Sequence, residues 1–314
     1  MLLRRSLKAF VVTALLGSAS VLAADAPKGN TAPVPLLWKV SDKDNAVYLL
    51  GSFHLLRSSD YPLSGDVDAA FADAERVLVT LLTVKLEGEI EATRRAAVLA
   101  DKGYEVFRQV CRPGIAEYEI IAALEAFLRH NNCPDNFMII GSGGPEVMGM
   151  HPPGERRLKL GDMVTTEITP CVNGYYAQLC RTLVVGEPSE AQLRAFDVYS
   201  EAFEAGLAAV RPGVTAGHIA KLENDVFRAH GLGEYTTARY TRVRGHGLGI
   251  YLDTPPAILE DVDMPLAENM TIIVHPNTYH PEVGYIVFGD SMVVRADGPE
   301  VLSTCPRKLF SVSV

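Results

Sequence analysis

Residues 211–230 read RPGVTAGHIAKLENDVFRAH, and residues 112–130 carry the related text RPGIAEYEIIAALEAFLRH. Each stretch opens with an Arg-Pro-Gly turn and continues with the apolar periodicity of a helix. Ile120 and Ile219 stand at the same offset from the start of their stretches. Each turn follows a predicted helix and precedes predicted strands. The repeat therefore predicts an α+β domain made of two related halves with a mostly antiparallel sheet.

Composition excludes several classes of protein. The chain has 314 residues, of which 48% are hydrophobic and 21% are charged, so it can bury a substantial core and is not disordered throughout. Its net charge is −9 and it has no basic stripe, which argues against a nucleic-acid partner. The long apolar run is confined to the N-terminus, so a polytopic membrane protein is excluded.

Residues 1–23 have the pattern of a signal peptide. Arg4, Arg5 and Lys8 form a basic region, an apolar run extends from Ala9 to Leu22, and small residues precede a cleavage point after Ala23. An uncleaved anchor is the alternative, but the run is shorter than the ~18 apolar residues of a spanning helix. We expect a periplasmic or secreted protein without stable membrane insertion after cleavage, and residues 24–34 as a linker.

The five cysteines are widely spaced and include no Cys-x-x-Cys pair. This pattern is neither a disulfide framework nor a thiolate zinc site. One or two bridges stay open in an oxidising compartment, but free buried thiols are favoured.

Residues 35–82 predict a β-hairpin, from Leu37–Val40 and Ala46–Leu50, followed by a helix over Val67–Glu75 and a strand over Val77–Leu82. The text PLLWKVSDKDNAVYLLGSFHLL, starting at Pro35, resembles the opening of the TraB/GumN family. His54 lies in the Gly-x-x-His motif of that family. The segment is incomplete, because Thr80 stands where the family has an acidic residue and no second Gly-x-x-His follows. We assign it no function.

His246 lies in Gly-His-Gly-Leu-Gly, where three glycines leave room for a ligand to approach. Around it, the stretches LKLGDMVTTEI, NGYYAQLCRT, RGHGLGIYLDTPP, PLAENMTIIVHP and GDSMVVRADGPEVL resemble the pita-bread peptidase family of methionine aminopeptidase, prolidase, aminopeptidase P and creatinase. The resemblance implies a pita-bread fold with two pseudo-symmetric halves over residues 83–314. It also implies a hydrolase acting on a C–N bond of a small amide, amidine or dipeptide-like substrate, and a homodimer.

Metal enzymes of that family hold two divalent ions with two Asp, one His and two Glu. The matching positions here are Glu167, Gln178, His246, His275 and Gly289, of which only His246 keeps its residue type. Glycine offers no side-chain ligand and glutamine is a weak neutral one. A dinuclear site is therefore not expected.

Three readings of the site remain open. In the favoured one, His151 matches the family's other active-site histidine and is the general acid/base of a metal-free hydrolysis, with Glu167, His246 and His275 orienting the substrate. In the second, Glu167, His246 and His275 bind one zinc or iron ion. In the third, the chain is a catalytically silent module that binds a small molecule or a protein.

Three further residues are candidate substrate contacts. Arg244 precedes the glycine-rich histidine and is a candidate clamp for a substrate carboxylate. His280 lies in a loop rich in turn residues, and Asp253 stands at the family's substrate-binding motif. An artificial join between the TraB/GumN-like segment and the hydrolase segment is an alternative explanation of the incomplete N-terminal pattern.

Overall fold

The computed structural model describes residues 9–13, 37–41, 46–51, 65–66, 69–70 and 83–313. The chain divides into two compact units, Met1–Leu81 and Leu82–Val314. Among the helices of the described residues, none combines the length and the apolar character that a bilayer crossing requires.

The N-terminal unit contains a small three-stranded sheet. Its strands are β1 (Ala9–Thr13), β2 (Leu37–Ser41) and β3 (Ala46–Gly51), in the order β1-β3-β2. Strands β2 and β3 pair antiparallel, which confirms the predicted hairpin. Strand β1 pairs parallel with β3 and comes from the predicted signal peptide, whose cleavage stays a prediction.

Most of the remaining predictions for this unit lie outside the described residues. Of the predicted helix Val67–Glu75, residues 69–70 are described, and they are helical. His54, Thr80 and the predicted strand Val77–Leu82 fall outside the described ranges.

The first half of the C-terminal unit has two helices followed by four strands: α1 (Glu87–Val110), α2 (Glu117–His130), β4 (Asp135–Gly143), β5 (Met163–Val172), β6 (Tyr175–Tyr176) and β7 (Leu179–Val185). The Arg-Pro-Gly turn before α2 needs its glycine, because Gly114 has φ +87°. Glu119 accepts the backbone N–H of Ala116 at 2.8 Å, which caps the start of α2. The predicted bounds of this helix are confirmed.

The second half repeats this order of helices and strands: α3 (Glu190–Ala209), α4 (Ala216–Ala229), a 3-10 helix (Gly233–Thr236), β8 (Gly245–Gly247), β9 (Thr254–Ala257), β10 (Thr271–Val274), β11 (Thr278–His280), β12 (Gly284–Ile286), β13 (Gly289–Arg295), β14 (Gly298–Val301) and β15 (Phe310–Val312). Its Arg-Pro-Gly turn has the same geometry, with φ +86° at Gly213. The Thr215 hydroxyl then accepts the backbone N–H of His218 at 3.2 Å and caps α4. The predicted internal repeat is confirmed.

Strands from both halves form one ten-stranded sheet with the central order β4-β5-β7-β13-β10-β8-β9. The pairings along this order are antiparallel, and β15 adds to β7 in parallel. The two halves meet where Cys180 on β7 lies opposite Gly289 on β13. The predicted α+β class with a mostly antiparallel sheet is confirmed.

The helices of both halves cover the sheet with apolar side chains. Tyr104 on α1 packs in a buried cluster with Ile168 of β5, and Phe203 on α3 packs in a second cluster with Ile272 of β10. Successive side chains of a strand point to opposite faces. Glu167, next to Ile168, therefore faces away from the helices.

The apolar pattern of the sequence predicts continuous strands over Tyr175–Val185 and Ile286–Val294. Each of them is broken in the structure. At the first break, Gln178 donates its backbone N–H to a serine hydroxyl of β13 at 2.8 Å. At the second, Phe288 donates its backbone N–H to the side-chain oxygen of Asn277 at 3.0 Å. Side-chain acceptors replace the backbone partners of a regular ladder at both places, so periodicity alone did not predict the breaks.

All five cysteines lie in the described part of the C-terminal unit, and each is a buried free thiol. This confirms the favoured prediction. Burial raises the pKa of Cys111 and of Cys180 above the ordinary range, which keeps these thiols protonated and unreactive.

Candidate functional site

The sequence-predicted ligand positions lie together where the two halves of the sheet meet. Glu167 on β5 is opposite Cys180 on β7, which is in turn opposite Gly289 on β13. His275 directly follows β10, and its ring lies beside that of His246 on β8, with 5.3 Å between ring centroids. The sheet register therefore gathers side chains that are more than a hundred residues apart in sequence.

Glu167 is almost fully buried and its carboxylate is held by three donors. The side-chain amides of Gln178 and Asn277 donate to it at 2.9 Å and 3.0 Å, and the Cys180 thiol lies 3.7 Å away. Burial raises the pKa of Glu167 to about 7, and these hydrogen bonds oppose the rise. The carboxyl group therefore exchanges its proton near neutral pH.

An apolar cluster causes this desolvation on one side of the site. Cys180 packs there with Leu248, Ile273, Tyr285 and Val287. Removing water from around a carboxylate disfavours its charged form. The Glu167 carboxylate is therefore paired to side-chain donors of the protein in a desolvated setting.

Asn277 connects Glu167 with the backbone of Phe288 and His275. Its Nδ2 donates to Glu167, its Oδ1 accepts the backbone N–H of Phe288 at 3.0 Å, and its backbone N–H donates to His275 O at 2.6 Å. Asn277 is not among the residues predicted from the sequence motifs. The signal that was present is its position two residues after His275, next to a proline.

The paired histidines differ in environment. Burial, and next the nearby His246, lower the pKa of His275 well below its usual range, so this imidazole is neutral. Within the described residues, His275 Nδ1 has no hydrogen-bond partner. His246 Nδ1 lies 3.0 Å from Gly247 O and 3.8 Å from a carboxylate oxygen of Asp253, whose side chain is 67% exposed.

A bridged pair of metal ions does not fit this set of donors. Gly289 has no donor side chain, and a Cβ there would lie 2.4 Å from Val274 O and 2.5 Å from His275 Cβ. Gln178 is neutral, and its amide nitrogen is directed at Glu167. Of the five positions, one, Glu167, therefore supplies an anionic ligand, and a longer side chain at position 289 has no room.

The one-ion alternative placed Glu167, His246 and His275 around a single zinc or iron. Across residues 83–313 and the shorter described segments, no three His, Cys, Asp or Glu side chains converge in a geometry that would hold a metal ion. The nearest approach to such a group is the pair of imidazole rings, whose planes meet at 69°. The structure therefore does not bring the three expected ligands into one coordination shell.

His151 lies apart from these residues. Its side chain is 52% exposed, and it lines a cleft of about 400 Å³ with Ser142, Glu146 and Arg156. Among the described residues, its hydrogen bonds and ion pairs reach Pro152, Ile140 and Glu117, and none reaches Glu167. The predicted catalytic residues thus form a buried group and a separate histidine in an open cleft.

The three predicted substrate contacts have different environments. Arg244 is fully buried and donates to Asn224 Oδ1 at 2.6 Å and to Asn277 O at 2.8 Å, so it braces the interior instead of presenting the carboxylate clamp that we expected. His280 Nδ1 accepts the backbone N–H of Glu282 at 3.2 Å within a turn. Asp253 is exposed beside His246.

Residues 91–296 match metallopeptidase family M24. The Xaa-Pro dipeptidase of Pyrococcus furiosus is 27% identical over 242 residues, which span 76% of this chain and 68% of that protein. The probable dipeptidase PepE of Mycobacterium tuberculosis is 29% identical over 282 residues, which span 89% of this chain and 71% of that protein.

Solved structures agree with these sequence matches. The X-Pro aminopeptidase of Thermotoga maritima has a TM-score of 0.70 at 28% identity, covering 80% of this chain and 72% of that chain. The dipeptidase PepE of Mycobacterium ulcerans has a TM-score of 0.73 at 26% identity, covering 83% and 70%. The predicted pita-bread fold is confirmed.

Residues 36–106 match the TraB/PrgY/gumN family, which confirms the second resemblance. That match covers a short part of the chain, whereas the peptidase match covers most of the C-terminal unit. The expected assignment to the peptidase class of hydrolases is also confirmed. The chain belongs to metallopeptidase family M24.

Proposed function

We propose that the chain is an exported hydrolase that cleaves a C–N bond of a dipeptide-like substrate without a bridged pair of metal ions. The relatives named as Xaa-Pro dipeptidase and dipeptidase support the substrate class. One observation carries the metal-independent part. The Gln178 amide donates to the Glu167 carboxylate where the family has two Asp ligands, beside a Gly289 that has no room for a side chain.

Side chains would then perform the proton transfers. Glu167, with a pKa of about 7, accepts a proton from the attacking water as the hydroxyl adds to the carbonyl carbon. When the C–N bond breaks, His151, protonated at the start of the cycle, donates its proton to the leaving nitrogen. Glu167 then releases its proton to solvent, and His151 takes one up from solvent. A carboxyl group that accepts a proton and an imidazole that donates one together supply the two roles of general acid/base catalysis.

His246, Asp253 and His280 are proposed to contact the substrate around Glu167. The exposed Asp253 carboxylate suits a substrate ammonium group. His275 is neutral and buried with an unpartnered nitrogen among the described residues, so we propose that it orients a polar group of the substrate.

Export is proposed from the basic and apolar pattern of residues 1–23. The mature enzyme would act in the periplasm or outside the cell on short peptides, and we propose a homodimer for it. Size-exclusion chromatography with light scattering on residues 24–314 tests the dimer.

Hydrolysis of a panel of Xaa-Pro and other dipeptides by the mature chain tests the function, with release of free amino acid as the readout. We expect turnover that persists in EDTA, and a 10²- to 10⁴-fold lower kcat in Glu167→Gln, the range typical of losing a general acid/base. Glu155→Gln is the matched control, because Glu155 is exposed. Equal turnover in both variants would contradict the role of Glu167.

A silent binding module is the second candidate, and the changed residue types at Glu167, Gln178, His275 and Gly289 favour it. Dipeptide binding by calorimetry without hydrolysis of any panel member would establish that alternative and overturn the hydrolase.

A further inference from the structure

A buried acidic residue lies behind the histidine of the open cleft. Glu117, the first residue of α2, is fully buried. Its carboxylate accepts the Ser142 hydroxyl at 2.5 Å and the backbone N–H of Gly154 at 3.0 Å. It also lies 3.9 Å from His151 Nδ1. A carboxylate with no exposure is costly unless it is paired, so its environment must supply compensation.

The hydrogen bond of His151 to its neighbour defines which ring nitrogen carries the proton. Nδ1 lies 2.7 Å from the carbonyl oxygen of Pro152. A carbonyl oxygen only accepts, so Nδ1 is the N–H donor in the neutral ring. The lone pair is then on Nε2, so Nε2 is the ring nitrogen that accepts a proton in the cleft.

Charged groups face His151 from each neighbouring segment. Arg156 donates to both carboxylate oxygens of Asp162, at 2.6 Å and 3.0 Å, so its charge is balanced within its own segment. Glu146 faces the same cleft and is largely exposed, at 3.9 Å from Arg156. Glu117 lies 3.9 Å from His151 Nδ1 and is fully buried. Water therefore screens its charge less than it screens the charge of the exposed Glu146.

We propose that Glu117 is a positioning residue for His151. The Glu117 carboxylate anchors residues 151–154 through the backbone N–H of Gly154, and its negative charge balances the imidazolium that forms when His151 Nε2 takes a proton. The inference rests on the proposed function, in which His151 is the general acid that is reprotonated in each cycle. It adds a pair formed by a buried acid and a half-exposed histidine, outside the positions that correspond to the family's metal ligands.

NMR of the substrate-free mature protein with ¹⁵N-labelled histidine tests this inference without using activity. The His151 signal is assigned by its loss in His151→Ala. In the unaltered protein, we expect the neutral ring to be protonated at Nδ1. In Glu117→Gln, we expect the midpoint of the His151 titration to fall by about one pH unit, the effect of removing an opposite charge at this range.

Two further variants keep the test decisive. Glu125→Gln makes the same chemical change at an exposed position of α2 and should leave the midpoint unchanged. Glu117→Asp keeps the negative charge, so the midpoint of its His151 titration should stay close to that of the unaltered protein. This variant keeps the test usable if Glu117→Gln folds poorly. Equal midpoints in Glu117→Gln and Glu125→Gln, or an Nε2-protonated neutral ring, would overturn the inference.

Activity separates this inference from the function on which it rests. If the NMR midpoint shifts as expected, the acid–histidine pair stands, whatever the dipeptide assay shows. If no dipeptide is hydrolysed, the proposed function fails by itself. With turnover, the pH profile of kcat/KM should move with the NMR midpoint in Glu117→Gln.

Discussion

Gln178, directly before β7, donates its side-chain N–H to the carboxylate of Glu167 on β5 at 2.9 Å. An amide and a carboxylate satisfy each other, whereas two buried carboxylates repel unless a cation or a proton lies between them. The pair is therefore stable without bound cations. The second amide, from Asn277, donates to the same carboxylate at 3.0 Å.

Gly289→Ala should destabilise the protein, by about 1–3 kcal/mol, because the new Cβ would meet backbone and side-chain atoms at 2.4 Å and 2.5 Å. Urea unfolding of the two proteins measures the difference. Gly88→Ala is the matched control, since a Cβ there meets nothing within 4 Å and lies in helix α1. An equal midpoint for both variants would show that position 289 has room for a side chain.

Much of the fold was predictable because its signals are local. The two Arg-Pro-Gly turns and the apolar periodicity after them predicted both helix pairs, and α2 has the predicted bounds. The breaks in two strands were not predictable. They depend on side-chain acceptors such as Asn277 Oδ1, which come from other parts of the chain.

The candidate site was likewise predictable from the sequence in part. The positions of Glu167, His246 and His275 followed from sequence motifs, and the sheet register brings them to one region. Arg244 was expected to face the substrate, but it is buried against Asn224 and Asn277. Asn277 was missed because its partner Glu167 is 110 residues away in sequence.

Glu223 makes the stability of the protein depend on pH. Burial raises its pKa well above the ordinary value of 4.5, and among the described residues neither carboxylate oxygen has a hydrogen-bond partner. The folded state thus keeps a proton that the unfolded chain loses above about pH 4.5. Stability should fall as pH rises from there to the folded pKa, by at most about 1.4 kcal/mol per pH unit for this group.

Glu223→Gln removes this proton linkage. The variant should match the unaltered protein near pH 4 and gain relative stability as pH rises, measured by urea unfolding at several pH values. Glu125→Gln, on an exposed helix face, is the control and should show no such trend. A constant difference across the pH range would contradict the buried, protonated state of Glu223.

His151→Ala should abolish dipeptide turnover, with a loss of 10²- to 10⁴-fold or more, while the thermal midpoint stays nearly unchanged. The reason for the small structural effect is that this side chain is half exposed and makes one hydrogen bond, to Pro152. His130→Ala, at an exposed end of α2, is the control for histidine removal. Unaltered turnover in His151→Ala would remove it from the catalytic role.

His275→Glu restores one family ligand type but should not restore a bridged pair of ions. Gln178 stays neutral and Gly289 still provides no ligand. We expect fewer than two ions per chain by elemental analysis after incubation with zinc or manganese and desalting. Two ions bound to this variant would show that positions 178 and 289 are dispensable for the pair.

The number of metal ions per chain decides whether this hydrolase works without a bridged pair of ions. It should be measured by elemental analysis of the mature protein, purified without chelator or metal-affinity resin, and combined with dipeptide turnover before and after EDTA. We expect fewer than two ions per chain and turnover that survives EDTA. One ion per chain with turnover lost in EDTA would establish the one-ion alternative, and two ions with the same loss would contradict the account outright.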